Sequence, residues 1–202
     1  MLHRVFQTLG EMASIENYSD MGHPRDIESD RLKLVALTAE LAELQVSEPV
    51  VFFDRLGVEM EPSWPPDLMG ADTMCWVRDQ LAAQPENAGW YFWVYISPGI
   101  NRLVGVGGFK GAPTKSGDVE IGYSMLASYR EQGLATEAVN ALIEWAYKHA
   151  EVKRVVAHTR SDRNPSHRVL EKAGFVEGRH SVDEDEQIEV IAWAHDRQFA
   201  AE

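Results

Sequence analysis

The sequence predicts an α/β fold, a mixed and mostly antiparallel sheet with helices on both faces. Three observations predict it. Strand-like runs at Trp90–Ile96, Leu103–Phe109 and Val119–Leu126 follow one another across short turns, as in an antiparallel meander. A strongly periodic helix from about Gly133 to His149 comes next. Beyond it, strand and helix alternate, which places helices on both faces of one sheet.

Residues 1–29 have weak periodicity and read as an N-terminal extension, with the main domain at 30–202. Arg31 to Val35 alternates as a short strand, and Thr38 caps a helix through about Gln45. Pro49 to Pro66 reads as an ordered loop, because Trp64-Pro65-Pro66 forbids regular helix there. Asp72 to Ala83 places Met74, Val77, Gln80 and Leu81 at helix spacing. Two strands follow, joined by the hairpin connection Ser97 to Asn101. Gly105, Gly107 and Gly108 let another group approach the second strand closely. Val119 to Leu126 is the third. The long helix carries Leu134, Ala138, Ala141, Leu142 and Trp145 on one stripe. Arg154 to Thr159 is a short strand, and Ser166 to Ala173 a short helix closed by Gly174. Phe175-Val176 opens a strand, Asp183 to Glu186 makes an acidic turn, and Ile188 to Trp193 is the final strand.

Composition narrows function. A net charge of −13 over 202 residues disfavours wholesale binding to nucleic acid or to an anionic membrane, and it suits a cationic substrate. No apolar run is long enough to span a bilayer, and no signal-peptide core is present. The lone cysteine, Cys75, forms no internal disulfide and fits a reducing cytoplasm. No His/Cys/Asp/Glu spacing points to a metal.

The most informative segment is Arg130-Glu131-Gln132-Gly133-Leu134-Ala135, between a strand and a helix. A glycine-bearing turn there exposes unpaired N–H groups at the positive end of the helix. That is an anion site suited to phosphate or pyrophosphate.

This segment, preceded by Glu120-Ile121-Gly122-Tyr123 and followed by Val169 to Phe175, resembles the GCN5-related N-acetyltransferase (GNAT) superfamily. The signature Gln/Arg-x-x-Gly-x-Gly/Ala is met by Arg130, Gly133 and Ala135, and the match covers about Ser29 to Trp193. Together with Arg31-Leu32-Lys33-Leu34, it is most similar to the branch of ribosomal-protein N-terminal acetyltransferases. The resemblance implies a central strand pair that splays apart. It also implies acetyl-CoA as cosubstrate, with pyrophosphate on the amides of Gln132, Gly133, Leu134, Ala135 and Thr136. The pantetheine arm would pair with the strand at Met125 and Leu126. Asn164 and Arg168 fall among the expected cofactor contacts. Arg130 either pairs with phosphate or stabilises its own loop.

Strand alternation puts Glu120, Gly122 and Ser124 on one face and Val119, Ile121, Tyr123 and Met125 on the other. The resemblance makes the first face the floor of the acceptor cleft. Glu120 is then the candidate base, with partial burial expected to raise its pKa, or else a plain polar residue. The family's tyrosine position, four residues before Gly174, is Leu170 here. Ser166 is the substitute acid, or an N-cap. Tyr123 is another candidate acid, though alternation puts it opposite Glu120 in the core, and His158 either lines the cleft or is a satisfied structural residue. Trp64 walls the acceptor pocket or anchors its loop.

Two readings follow. The first is an acetyl-CoA-dependent N-acetyltransferase acting on a primary amine, a small molecule or a peptide N-terminus, by direct attack in a ternary complex. A homodimer is compatible with it. The alternative is a CoA-binding regulatory or interaction domain without turnover.

Overall fold

The alternation along the strand Asp118–Met125 shows how the sheet is built. Val119, Ile121 and Met125 are buried on one face, while Glu120, Gly122 and Ser124 are only partly covered on the other. The computed structural model describes residues 26–67, 69–162, 164–183 and 188–197. Residues 1–25 of the expected extension, and 184–187 of the expected acidic turn, lie outside the described residues. In chain order the elements are β1 (Ile27–Glu28), β2 (Lys33–Ala36), α1 (Ala39–Ser47), α2 (Pro49–Leu56), α3 (Ala71–Ala83), β3 (Phe92–Ser97), β4 (Arg102–Phe109), β5 (Asp118–Met125), α4 (Leu134–Tyr147), β6 (Arg154–Arg160), α5 (Pro165–Lys172), β7 (Val176–Asp183) and β8 (Ile188–Asp196).

The strands form one sheet in the order β1-β2-β3-β4-β5-β6-β8-β7. The β5–β6 pair is parallel, and the other neighbours run antiparallel. One face packs α4 through Leu134, Ala138, Leu142 and Trp145 against Trp93, Phe109 and Ile121, and Leu170 of α5 joins this core. The other face carries α1–α3, with Leu41, Phe52, Val77 and Leu81 against Val94 and Val106. Helices thus cover both faces, as the sequence predicts.

Thr38 caps α1, its side chain accepting the Leu41 N–H. The expectation of a loop over 49–66 is corrected for its first half. Pro49 stands at the start of α2, where its missing N–H costs nothing, and Phe52 and Phe53 bury against the sheet. Gly57 ends the helix at φ 69°. The breaker cluster at 64–66 acts only locally. Gly107 shows why β4 carries glycine: a Cβ there would lie 2.1 Å from the Tyr95 hydroxyl, which crosses beneath it.

Candidate active site

Strands β5 and β6 pair only at Asp118↔Arg154, Val119↔Val155 and Glu120↔Val156. Beyond that point β5 stays with β4 as far as Met125↔Gly105, and β6 goes on with β8 to Arg160↔Val190. Two bonds fix the phase of the ladder. The Lys110 N–H donates to the Glu120 carbonyl at 2.9 Å, and the Leu126 N–H to the Val104 carbonyl at 3.0 Å. Even-numbered residues of β5 therefore turn their backbone groups to β4, the odd-numbered Val119 and the Ile121 N–H complete the ladder with β6, and Tyr123 and Met125 turn theirs to the opening.

Leu126 departs from its expected role. Its N–H is committed to Val104, its carbonyl accepts the Tyr129 N–H, and its side chain is buried. Arg130 braces the loop: its Nε donates to the Met125 carbonyl at 3.0 Å, and its Nη2 stands 2.7 Å from Asp67 Oδ2. Asp67 belongs to the segment before α3, and its carbonyl also accepts the Ser124 hydroxyl.

After Leu126 the chain passes through a 3-10 turn at Ala127–Tyr129 and two positive-φ residues, Glu131 (φ 61°) and Gly133 (φ 80°). Gly133 precedes α4, and no side chain caps this helix. The N–H groups of Leu134, Ala135 and Thr136 are the first of the helix, at its positive end. Gln132 ties back to the Ser128 carbonyl through its side chain.

A residue that sequence reasoning missed secures this turn. The Arg31 N–H donates to Glu137 Oε1 at 2.7 Å, its Nε to Oε2 at 2.8 Å, and its Nη1 to the Gln132 carbonyl at 2.9 Å. The Ser29 hydroxyl donates to Glu137 Oε1 at 2.8 Å. Burial pushes the Glu137 carboxyl up, but the Ser29 and Arg31 bonds outweigh it and hold the group below its ordinary range. Arg31 opened the Arg-Leu-x-Leu run, but nothing in the linear sequence linked it to a helix 106 residues away.

Where the strands part, Glu120 Oε1 accepts a bond from Lys110 Nζ and lies 3.0 Å from His158 Nδ1. Burial alone would raise the Glu120 pKa, as expected from sequence. The Lys110 and His158 hydrogen bonds outweigh it, so the net shift is downward. His158 shares this face of the sheet. Val155, Ala157 and Thr159 face the core, whereas the His158 side chain is 45% exposed on the face of Glu120.

Asn164, not Ser166, caps α5: its Oδ1 accepts the Ser166 N–H at 2.9 Å, with Pro165 in the first turn. The Asn164 side-chain oxygen is thus engaged in the helix. Ser166 is half-buried, and its carbonyl accepts the Tyr123 hydroxyl at 3.2 Å. Tyr123 lies on the core-facing side, as alternation requires, but is only partly buried. Burial pushes its pKa up to about 12. Leu170 is fully buried, so the family's tyrosine position faces the core here. Arg168 is exposed on α5. Trp64 packs on Phe52 and Phe53 as a loop anchor. Among the described residues no group of three His, Cys, Asp or Glu could hold a metal ion, and no helix is long and apolar enough to cross a membrane.

Residues 31–176 match the family model of the acetyltransferase (GNAT) domain. The chain is 29% identical over 158 residues to the uncharacterized N-acetyltransferase YjdG of Bacillus subtilis, covering 78% of this chain and 93% of that one. Among solved structures it is similar to RimL, a ribosomal L7/L12 alpha-N-protein acetyltransferase in complex with coenzyme A. The TM-score is 0.61 at 18% identity, over 85% of this chain and 98% of that one. It is also similar to the ribosomal-protein-S5-alanine acetyltransferase of Vibrio fischeri, with a TM-score of 0.60 at 14% identity over 86% and 97% of the two chains. At such identities these structures share the fold.

Proposed function

This chain belongs to the GNAT acetyltransferase family, and on that premise we propose that it transfers the acetyl group of acetyl-CoA to a primary amine by direct attack in a ternary complex. One observation carries this reading: β5 and β6 part after Glu120, and the open stretch of β5 leads through one turn into the uncapped N-terminus of α4. The amides of Leu134, Ala135 and Thr136 receive the pyrophosphate, with Gly133 leaving room for its approach. The pantetheine arm runs along the open edge of β5 at Tyr123 and Met125, in the manner of an added strand. The thioester then lies where the strands diverge, next to Glu120. The acceptor enters from the face of α1–α3, where nothing lies within 4 Å of the Cβ position of Gly122. Orientation and the amide dipoles of the open edge assist attack.

The net charge of −13 favours a cationic acceptor. The fold similarity to ribosomal-protein acetyltransferases adds a peptide N-terminus to small amines as an acceptor class. We place the reaction in the cytoplasm, in keeping with the lone cysteine. The test pairs calorimetry of acetyl-CoA binding with CoA-thiol release over a panel of small amines, polyamines and peptides. Binding with thiol release supports the proposal. Binding without release from any acceptor supports the non-catalytic alternative, and absence of binding overturns both.

A further inference from the structure

We infer that His158 takes the proton from the incoming ammonium and that Glu120 is its positioning residue. This rests on the acetyl-transfer reading above and assigns the proton transfer within it.

Placement is the first argument. Glu120↔Val156 is the last pair before the strands part, and His158 stands two residues further along the departing strand. The Glu120–His158 hydrogen bond therefore bridges the mouth of the opening, where the thioester is proposed to lie. Geometry is the second. The Glu120 carboxylate accepts from His158 Nδ1 at 3.0 Å. A neutral imidazole that donates through Nδ1 keeps the lone pair of Nε2 for a substrate. Access is the third. The His158 side chain is 45% exposed and that of Glu120 26%. One Glu120 oxygen already serves both Lys110 and His158.

Lys110 and His158 together also hold the Glu120 carboxyl below its ordinary range despite burial, which makes it a weak proton acceptor near neutral pH. Among the described residues, Glu120 faces His158 from β5, Lys110 stands beside Glu120 just beyond β4, and Arg160 lies two residues along on β6. Directly opposite on β8 is the uncharged Ala192.

In the step, an N–H bond of the ammonium breaks and its proton moves to His158 Nε2. The freed nitrogen pair attacks the thioester carbonyl, the C–N bond forms and the C–S bond breaks. The second proton that nitrogen sheds on becoming an amide ends on the CoA sulfur through solvent. The imidazolium returns its proton to solvent.

The test measures CoA-thiol release from acetyl-CoA with benzylamine, spermidine and a serine-initiated peptide as acceptors, from mildly acidic to alkaline pH. His158→Gln is expected to lower kcat on the order of 10²-fold near neutral pH, with the deficit shrinking at alkaline pH where the free amine predominates. His158→Ala should regain turnover on addition of free imidazole. Glu120→Gln should lower kcat by less, about tenfold, and keep the wild-type shape of the pH profile. Acetyl-CoA affinity should be unchanged in all three. Wild-type turnover in His158→Gln, a larger loss in Glu120→Gln than in His158→Gln, or no imidazole rescue would overturn the assignment and leave acetyl transfer standing. Wild-type protein that binds acetyl-CoA and acetylates none of the acceptors would remove both.

Discussion

Replacing Gly133 tests the anion turn at its most sensitive point. The residue sits at φ 80°, and the Cβ of a substituent would lie 3.5 Å from Arg31 Nη2, an ordinary contact. Any clash is therefore small, and the remaining cost is backbone strain at this positive φ. Asparagine and aspartate tolerate the left-handed region best, so both variants should lose a similar amount of folding stability, about 1–2 kcal/mol. Charge separates the two variants. One added negative charge about 5 Å from a phosphate, at an effective dielectric near 20, costs about 3 kcal/mol, roughly 10²-fold in Kd. Arg31 offers little relief, because Glu137 already engages it. Gly133→Asn should thus lose only a few fold in acetyl-CoA affinity, and Gly133→Asp on the order of 10²-fold, with the gap narrowing at high salt. Calorimetry on both variants, with thermal unfolding to confirm folding, reads the difference. Equal affinities in the folded aspartate and asparagine variants would refute the placement of phosphate at this turn.

The Glu137 carboxyl is held below its ordinary range, so its contribution to stability is present above that range and lost as pH falls through the folded value. Glu137→Gln should be less stable than wild type by about 1–3 kcal/mol near neutral pH and converge with it in acid; a gap independent of pH in thermal unfolding contradicts this. Asn164→Ala should cost about 1 kcal/mol of stability through the lost cap, while Ser166→Ala leaves unfolding unchanged and lowers turnover about tenfold or less. A collapse of turnover in Ser166→Ala at unchanged stability and affinity would make Ser166 the acid. Leu170→Tyr should restore no acid function, because the side chain is fully buried. It should instead lower stability by about 1–3 kcal/mol through overpacking, and a gain in turnover would show that position 170 reaches the cleft.

What sequence revealed and what it hid divide along physical lines. Local signals located well: Thr38 as a cap, Gly133 at the turn, and the strand at 118–125 are set by chemistry within a few residues. Long-range pairings did not. Arg31 meets Glu137 only because β1 and β2 lie beside the first turn of α4, and Glu120 meets His158 only because β5 and β6 run parallel. The same gap explains the inverted pKa shift of Glu120, since burial could be inferred from a strand pattern but the cation from Lys110 could not. At Pro49 the sequence signal itself is ambiguous: the same residue type opens a helix at 49 and excludes one at 65–66.

The three pairs joining β5 to β6 make a seam between two half-sheets, β1–β5 and β6–β8. Mechanically, the protein is two plates fastened at one corner and spanned by α4. A molecule lying in the open part of the seam would fasten the other corner, so the cosubstrate would serve as a structural member as well as a reactant. Amide exchange at Tyr123 and Met125 should then slow markedly with acetyl-CoA present. The unfolding temperature should climb with its concentration, with about 2.7 kcal/mol added at a hundredfold excess over Kd.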